Sequence, residues 1–135
     1  MDRNEVSRFL KGVELFRNLT DKELDELAEY ISEKRCIPGD ILFSENSPRE
    51  DIFVIYEGEV ELFKMNPYGL EVRLALFGKG DFIGEGIWEE DSLHTTSARA
   101  VKTAILFDIN REFFHRSPST TLKILLNITR IISRR

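Results

Sequence analysis

Ile52-Phe53-Val54-Ile55-Tyr56 is followed by Glu59-Val60-Glu61-Leu62, then Asn66-Pro67-Tyr68-Gly69, then Leu70-Glu71-Val72-Arg73-Leu74-Ala75-Leu76. The first run is apolar throughout, as in a strand covered on both faces, and the second and fourth alternate with a period of two. Between them, Pro67 pre-sets its backbone angle and Gly69 admits a positive φ, so the tetrapeptide reads as a hairpin turn. Strands continue outward in both directions. Pro38-Gly39-Asp40 turns into Ile41-Leu42-Phe43, and Gly78-Lys79-Gly80-Asp81 leads into Phe82-Ile83-Gly84. Later strands are expected over about 95–101 and 104–109. Many short strands with closely spaced turns predict a sandwich or barrel.

Helical signals bracket this region. Val6, Phe9, Leu10 and Val13 have helical spacing. Thr20-Asp21-Lys22-Glu23 is a capping box, followed by Leu24, Leu27, Ala28 and Ile31 at i, i+3, i+4 and i+7, with Lys34 and Arg35 placed at the helix end. Beyond the strands, Asn110 caps a short helix through Phe113 and Phe114, and Pro118 opens another. That last helix carries two apolar stripes, Leu122, Leu125, Leu126 and Ile132, and Ile124, Ile128 and Ile131. One stripe packs a helix onto its own domain; the second predicts a further partner, and a homodimer through Ile124, Ile128 and Ile131 is the expectation. No Gly, Asn or Pro stop follows, the pattern of a helix cut short after Arg135. The expected organisation is one α+β domain over 1–135, with helices over about 2–34, a barrel over about 36–109 and C-terminal helices over about 110–135.

Composition narrows the function classes. The 135 residues are 41% hydrophobic and 32% charged, enough for a single core, and the formal net charge is −5. An acidic chain is a poor general nucleic-acid binder, because phosphate neutralisation needs an excess of Lys and Arg. Arg130, Arg134 and Arg135 read as complements to a helix C-terminus. Cys36 is alone, so an internal disulfide is excluded, and it reads as a small core residue of a reducing compartment. No run approaches the ~20 apolar residues of a membrane span, and Met1-Asp2-Arg3-Asn4-Glu5 opens no signal peptide. The expected location is the cytoplasm. His94 and His115 stand some twenty residues apart without a His-x-His pair, so neither a metal nor catalysis is expected.

Four ordered blocks carry a resemblance: Leu15-Phe16-Arg17-Asn18-Leu19 with Glu23-Leu24; Pro38-Gly39-Asp40-Ile41-Leu42-Phe43; Asp51-Ile52-Phe53-Val54-Ile55 with Gly58-Glu59-Val60; and Gly80-Asp81-Phe82-Ile83-Gly84-Glu85. Together they resemble cyclic-nucleotide-binding domains, in particular the sensor half of Crp/Fnr-type bacterial regulators and stand-alone bacterial relatives. The resemblance implies an eight-stranded antiparallel jelly-roll (double-stranded β-helix) barrel with N-terminal helices and a C-terminal helix. It also implies a regulatory, non-enzymatic role with cAMP or cGMP as ligand and no further cofactor.

By the same resemblance Gly84, Glu85, Gly86 and Ile87 open the phosphate-binding cassette, Glu85 accepting from a ribose 2′-hydroxyl and the glycines shaping the loop. Backbone N–H groups in such a turn can hold an anion, although two glycines also suit any tight turn before a helix. The family's phosphate-pairing Arg falls on His94, counting back from Ala98-Arg99-Ala100, with Thr95 and Thr96 in the small-residue positions. Trp88 is bulky for its place, and Glu89, Glu90 and Asp91 are acidic. A charge-assisted hydrogen bond is worth about 1.5–3 kcal/mol, so replacing the Arg weakens a phosphate ligand roughly 10- to 150-fold. His94 is then either a solvated loop residue or a weak, pH-dependent phosphate donor titrating near ~6.5. Arg99 is a second candidate cation, otherwise an exposed strand residue. Two alternatives stand beside the ligand sensor: an interaction or dimerisation module acting through the C-terminal helix without nucleotide, and the sensor fragment of a Crp/Fnr transcription regulator.

Overall fold

A computed structural model describes residues 1–84, 86 and 92–134. The chain forms two compact units, Met1–Ser32 with Ile109–Arg135, and Glu33–Asp108.

The helical unit begins with α1 (Arg3–Lys11), where the Asp2 carboxylate accepts the Glu5 N–H at 2.8 Å. A 3-10 turn (Glu14–Phe16) leads to α2 (Asp21–Glu29). The capping box closes fully: Glu23 N–H donates to Thr20 Oγ1 at 3.2 Å, and Thr20 N–H to Glu23 Oε1 at 2.8 Å. The helix stops earlier than its apolar pattern predicts. Tyr30 caps it, its N–H reaching the Leu27 and Ala28 carbonyls, and Ile31, Lys34 and Arg35 belong to strand β1 (Ile31–Cys36). Ile31-Ser32-Glu33-Lys34-Arg35-Cys36 has no period-two pattern; pairing along a sheet edge, rather than local propensity, makes it a strand.

The remaining strands are β2 (Ile41–Phe43), β3 (Asp51–Glu57), β4 (Val60–Met65), β5 (Glu71–Phe77), β6 (Phe82–Ile83), β7 (Ser97–Ala100) and β8 (Ala104–Asn110). They form two four-stranded sheets, β1-β8-β3-β6 and β2-β7-β4-β5, the eight-stranded antiparallel barrel that the resemblance implies. Phe53, Ile55, Val60, Ile83, Ala98, Ala104 and Leu106 fill its core, with Cys36, Leu42, Phe43, Leu62 and Phe77 at the margin. Burial raises the Cys36 thiol pKa, in keeping with an inert packing residue. The β4–β5 hairpin closes as expected, Asn66 Oδ1 accepting the Tyr68 and Leu70 N–H groups at 2.9 Å each. Its apolar alternation points the other way, however. Val60 pairs with Phe77 and Leu62 with Ala75, which places the small and terminal residues inward and leaves Leu70, Val72, Leu74 and Leu76 exposed.

The C-terminal helices are α3 (Arg111–Arg116), capped by Asn110, and α4 (Pro118–Ser133), with Pro118 at its start. The two stripes of α4 take roles opposite to those expected. Ile124 and Ile128 are buried and Ile131 is half-buried, so the first two are not available to a dimer seam; Leu122, Leu126 and Ile132 are exposed. The reason is polar as much as apolar. Asn127 Nδ2, on the Ile124 side, donates to the carbonyls of Leu15 at 2.9 Å and Arg17 at 2.8 Å. Thr120 and Lys123 both reach the Glu23 carboxylate, at 3.0 and 2.6 Å. These bonds fix which face of α4 turns inward.

Candidate functional site

The site is assembled in the barrel unit, where the β2–β3 connection meets the stretch leading into β7. Gly84 leaves β6 with φ +99°, and a Cβ there would lie 2.5 Å from the Asp51 carbonyl oxygen. Both the positive φ and the close backbone demand glycine. Gly86 differs, its neighbour being the end of a flexible side chain rather than backbone. A Cβ there would collide with the guanidinium of Arg49, whose Nη1 also donates to Ser92 Oγ at 2.9 Å while its backbone N–H bonds the Ser92 carbonyl at 3.0 Å. Arg49 thus ties the β2–β3 connection to Ser92. Glu85 and Ile87, assigned to ribose and ligand contact, lie outside the described residues, as do Trp88 and the acidic run 89–91.

His94 is held on both sides by backbone bonds. Its N–H donates to the Ser47 carbonyl and its own carbonyl accepts from Asn46 N–H, each at 2.8 Å. The residue is 5% exposed, and its ring stacks on Phe43 with centroids 3.6 Å apart and planes 9° from parallel. Phe43 in turn stacks on Phe53 at 6.2 Å. Burial first, and the positive charge of Arg49 second, lower the imidazole pKa to about 4, against a smaller opposing influence of Asp51. His94 is therefore neutral at physiological pH. His94 is thus no solvated loop residue, and its pKa lies well below the ~6.5 expected from sequence. Thr95 is exposed and Thr96 half-buried in the bend before β7.

Arg99, the second candidate cation, is committed elsewhere. It donates to Glu61 at 2.5 and 2.9 Å and to Glu71 at 2.8 and 3.2 Å, and its guanidinium lies 4.2 Å over the Phe63 ring. Arg73 adds a 2.6 Å bond to Glu61. The buried Glu61 is held below the ordinary carboxylate range chiefly by Arg99. Sequence reasoning missed this network. Its signal is cross-strand register, Glu61 opposite Arg99, which alternation within single strands does not reveal.

Beside His94 opens a pocket of about 390 Å³. Ile41, Leu42, Phe43 and Phe53 give it an apolar wall, while Ser44, Ser47, Glu50 and Asp51 supply oxygen atoms. None of the described lining residues is Lys or Arg. Size and mixed lining suit a small organic ligand. A second cavity, about 370 Å³, lies in the helical unit between Glu14, Arg17, Asn127 and Arg130.

The cyclic nucleotide-binding domain family matches residues 33–117, from β1 through α3. The chain belongs to that family. It is 30% identical over 118 residues to a cGMP-dependent protein kinase of Drosophila melanogaster, covering 83% of this chain and 12% of the kinase. It is 26% identical over 126 residues to the Cyclic AMP receptor protein of Thermus thermophilus, covering 93% of this chain and 58% of that protein. Among solved structures, the N-terminal domain of a transcriptional regulator from Streptomyces coelicolor superposes with a TM-score of 0.78 at 27% identity, over 93% of both chains. The chain thus spans only part of the curated relatives, and the fold and family expected from its four sequence blocks are those found. Among the described residues no helix is long and apolar enough to cross a membrane.

Proposed function

We propose that the chain is a regulatory, non-catalytic ligand-sensing domain whose pocket no longer pairs a cyclic phosphate. The observation that carries this reading is His94, neutral, buried and stacked where the family's resemblance expects a phosphate-pairing cation. A neutral imidazole offers at most an ordinary hydrogen bond, worth about 1 kcal/mol, against about 1.5–3 for a charged one. The kinase and receptor relatives are named for cGMP and cAMP, and this chain is read as responding to a ligand of related size with weakened phosphate recognition. Ligand occupancy would shift a two-state equilibrium of the segment running from β7 and β8 into α4. Titration calorimetry with cAMP and cGMP tests the reading, comparing wild type with His94→Arg. Weak or no binding by wild type and at least tenfold tighter binding by the variant support it. Tight wild-type binding indifferent to the substitution contradicts it.

A second reading, a homodimer, is favoured by one observation. Leu122, Leu125, Thr129 and Ile132 recur at the three-four spacing of a helix seam, and Leu122, Leu126 and Ile132 are exposed. Sedimentation at tens of micromolar is expected to give a dimer for wild type and a monomer for Leu122→Glu; a monomeric wild type excludes the seam.

A further inference from the structure

We infer that the cleft between the 3-10 turn and α4 binds a phosphate group, free or borne by a small molecule. It shares no residue with the pocket beside His94. The cleft, of about 370 Å³, is lined from the turn by Glu14 and Arg17 and from α4 by Arg130 and Arg134. Three guanidiniums against one carboxylate leave a local surplus of positive charge on a chain whose formal net charge is −5. So acidic a molecule does not attract anions in general, and binding here falls to these side chains. A phosphate monoester carries about −1.5 to −2 at pH 7 and offers three acceptor oxygens. That charge matches the surplus, and those oxygens suit the planar, bidentate fork of arginine.

The two walls are tied together. Asn127 Nδ2 holds the carbonyls of Leu15 and Arg17, which fixes the backbone of Arg17 against α4. Asn127 Oδ1 accepts from Arg130 Nη1 at 3.4 Å, bringing a second guanidinium to the same side chain. Arg134 pairs with Glu14 of the opposite wall, whereas Arg17 and Arg130 have no carboxylate partner among the described residues. The end of α4 would by itself oppose an anion, since its last carbonyls carry the negative end of the helix dipole. Here Ser133 Oγ covers the Thr129 carbonyl at 2.7 Å, and Arg134 Nε covers that of Arg130 at 3.3 Å. The Thr129 hydroxyl is spent on the Leu125 carbonyl, so the guanidiniums are the donors left to a ligand.

Titration of the whole chain at pH 7.5 with inorganic phosphate and with phenyl phosphate, followed by nitrogen-15 NMR, tests the proposal. Saturable shifts are expected at residues 14–17 and 127–134. Arg17→Gln is expected to raise the Kd about tenfold, the low end for a charge-assisted bond because the side chain is exposed. Glu14→Gln removes the competing carboxylate and is expected to lower the Kd about threefold. Lys64→Gln, at an exposed lysine of β4, should leave it unchanged. Arg130→Gln, with the same expected loss, serves if Arg17→Gln fails to fold by thermal melting. Tighter binding of phenyl phosphate assigns an organic phosphate, and equal binding free phosphate; both support the site. No saturable shift up to roughly 10 mM of either probe overturns the inference. So does binding that Arg17→Gln and Arg130→Gln leave unchanged. A Glu-rich peptide that binds where phosphate does not would make the cleft a protein-docking surface, and overturns it equally.

Discussion

Lowering the pH from 7 to 5 is expected to remove about 2 kcal/mol of folding stability through His94 alone. The unfolded chain binds a proton at this imidazole near pH 6.5, while the folded one does so only near about 4. Between those values the unfolded state holds more protons, so stability falls as the pH falls. With a native pKa about 2.5 units below the unfolded one, the linkage relation gives roughly 0.2 kcal/mol lost by pH 7 and roughly 2 by pH 5. His94→Phe keeps a ring against Phe43 and removes the titration. Urea denaturation of wild type and His94→Phe, at half-unit steps from pH 7.5 to 5, reads the effect as the difference between two slopes. The wild type should lose its stability progressively across that range and the variant should lose about 2 kcal/mol less. Parallel curves would refute the buried, neutral imidazole, whatever the absolute stabilities.

Two further perturbations probe the supports of the fold. The Glu23 carboxylate is held at about 2 by Lys123 first and by the Thr20 N–H next, so its contribution is full above about pH 4.5 and lost as the pH falls through about 2. Discounted for solvent screening, Glu23→Gln is expected to destabilise by about 1–2 kcal/mol at pH 7 and by nothing below pH 2, read by chemical denaturation at the two pH values. Gly84→Ala meets both a positive φ and the Asp51 carbonyl, and a loss of about 2–3 kcal/mol is expected in the same assay. A loss under 0.5 kcal/mol would mean that Gly84 is not held in this conformation.

The local signals in this sequence were strong where they concerned turns and caps. Asn66 and Gly69 close the hairpin, and Thr20 and Glu23 form their reciprocal bonds, because each of these features is settled by a few neighbouring residues. What the sequence hid depends on distant partners. The end of α2 is decided by the pairing of β1, and the inward face of α4 by carbonyls of Leu15 and Arg17 more than a hundred residues away. In β5, Leu74 and Leu76 look like core residues until the register with β4 turns Ala75 and Phe77 inward. The site divides the same way. Gly84 was legible as a glycine with a purpose, whereas the approach of Arg49 to Gly86 was not. The position of His94 could be counted along the chain, whereas its charge could not, since that follows from Phe43 and the backbone of Asn46 and Ser47 closing around it.

The most direct test of the account is the charge state of that one ring. Nitrogen-15 NMR of the imidazole at pH 5.5, in a His115→Gln background that leaves His94 as the sole histidine, reads it without reference to any ligand. With a pKa of about 4, only about 3% of the rings carry a proton on both nitrogens, and the spectrum should show the neutral form. A spectrum of imidazolium, as expected for about 90% of rings at an unperturbed pKa near 6.5, would contradict the account and restore a cation to the ligand site.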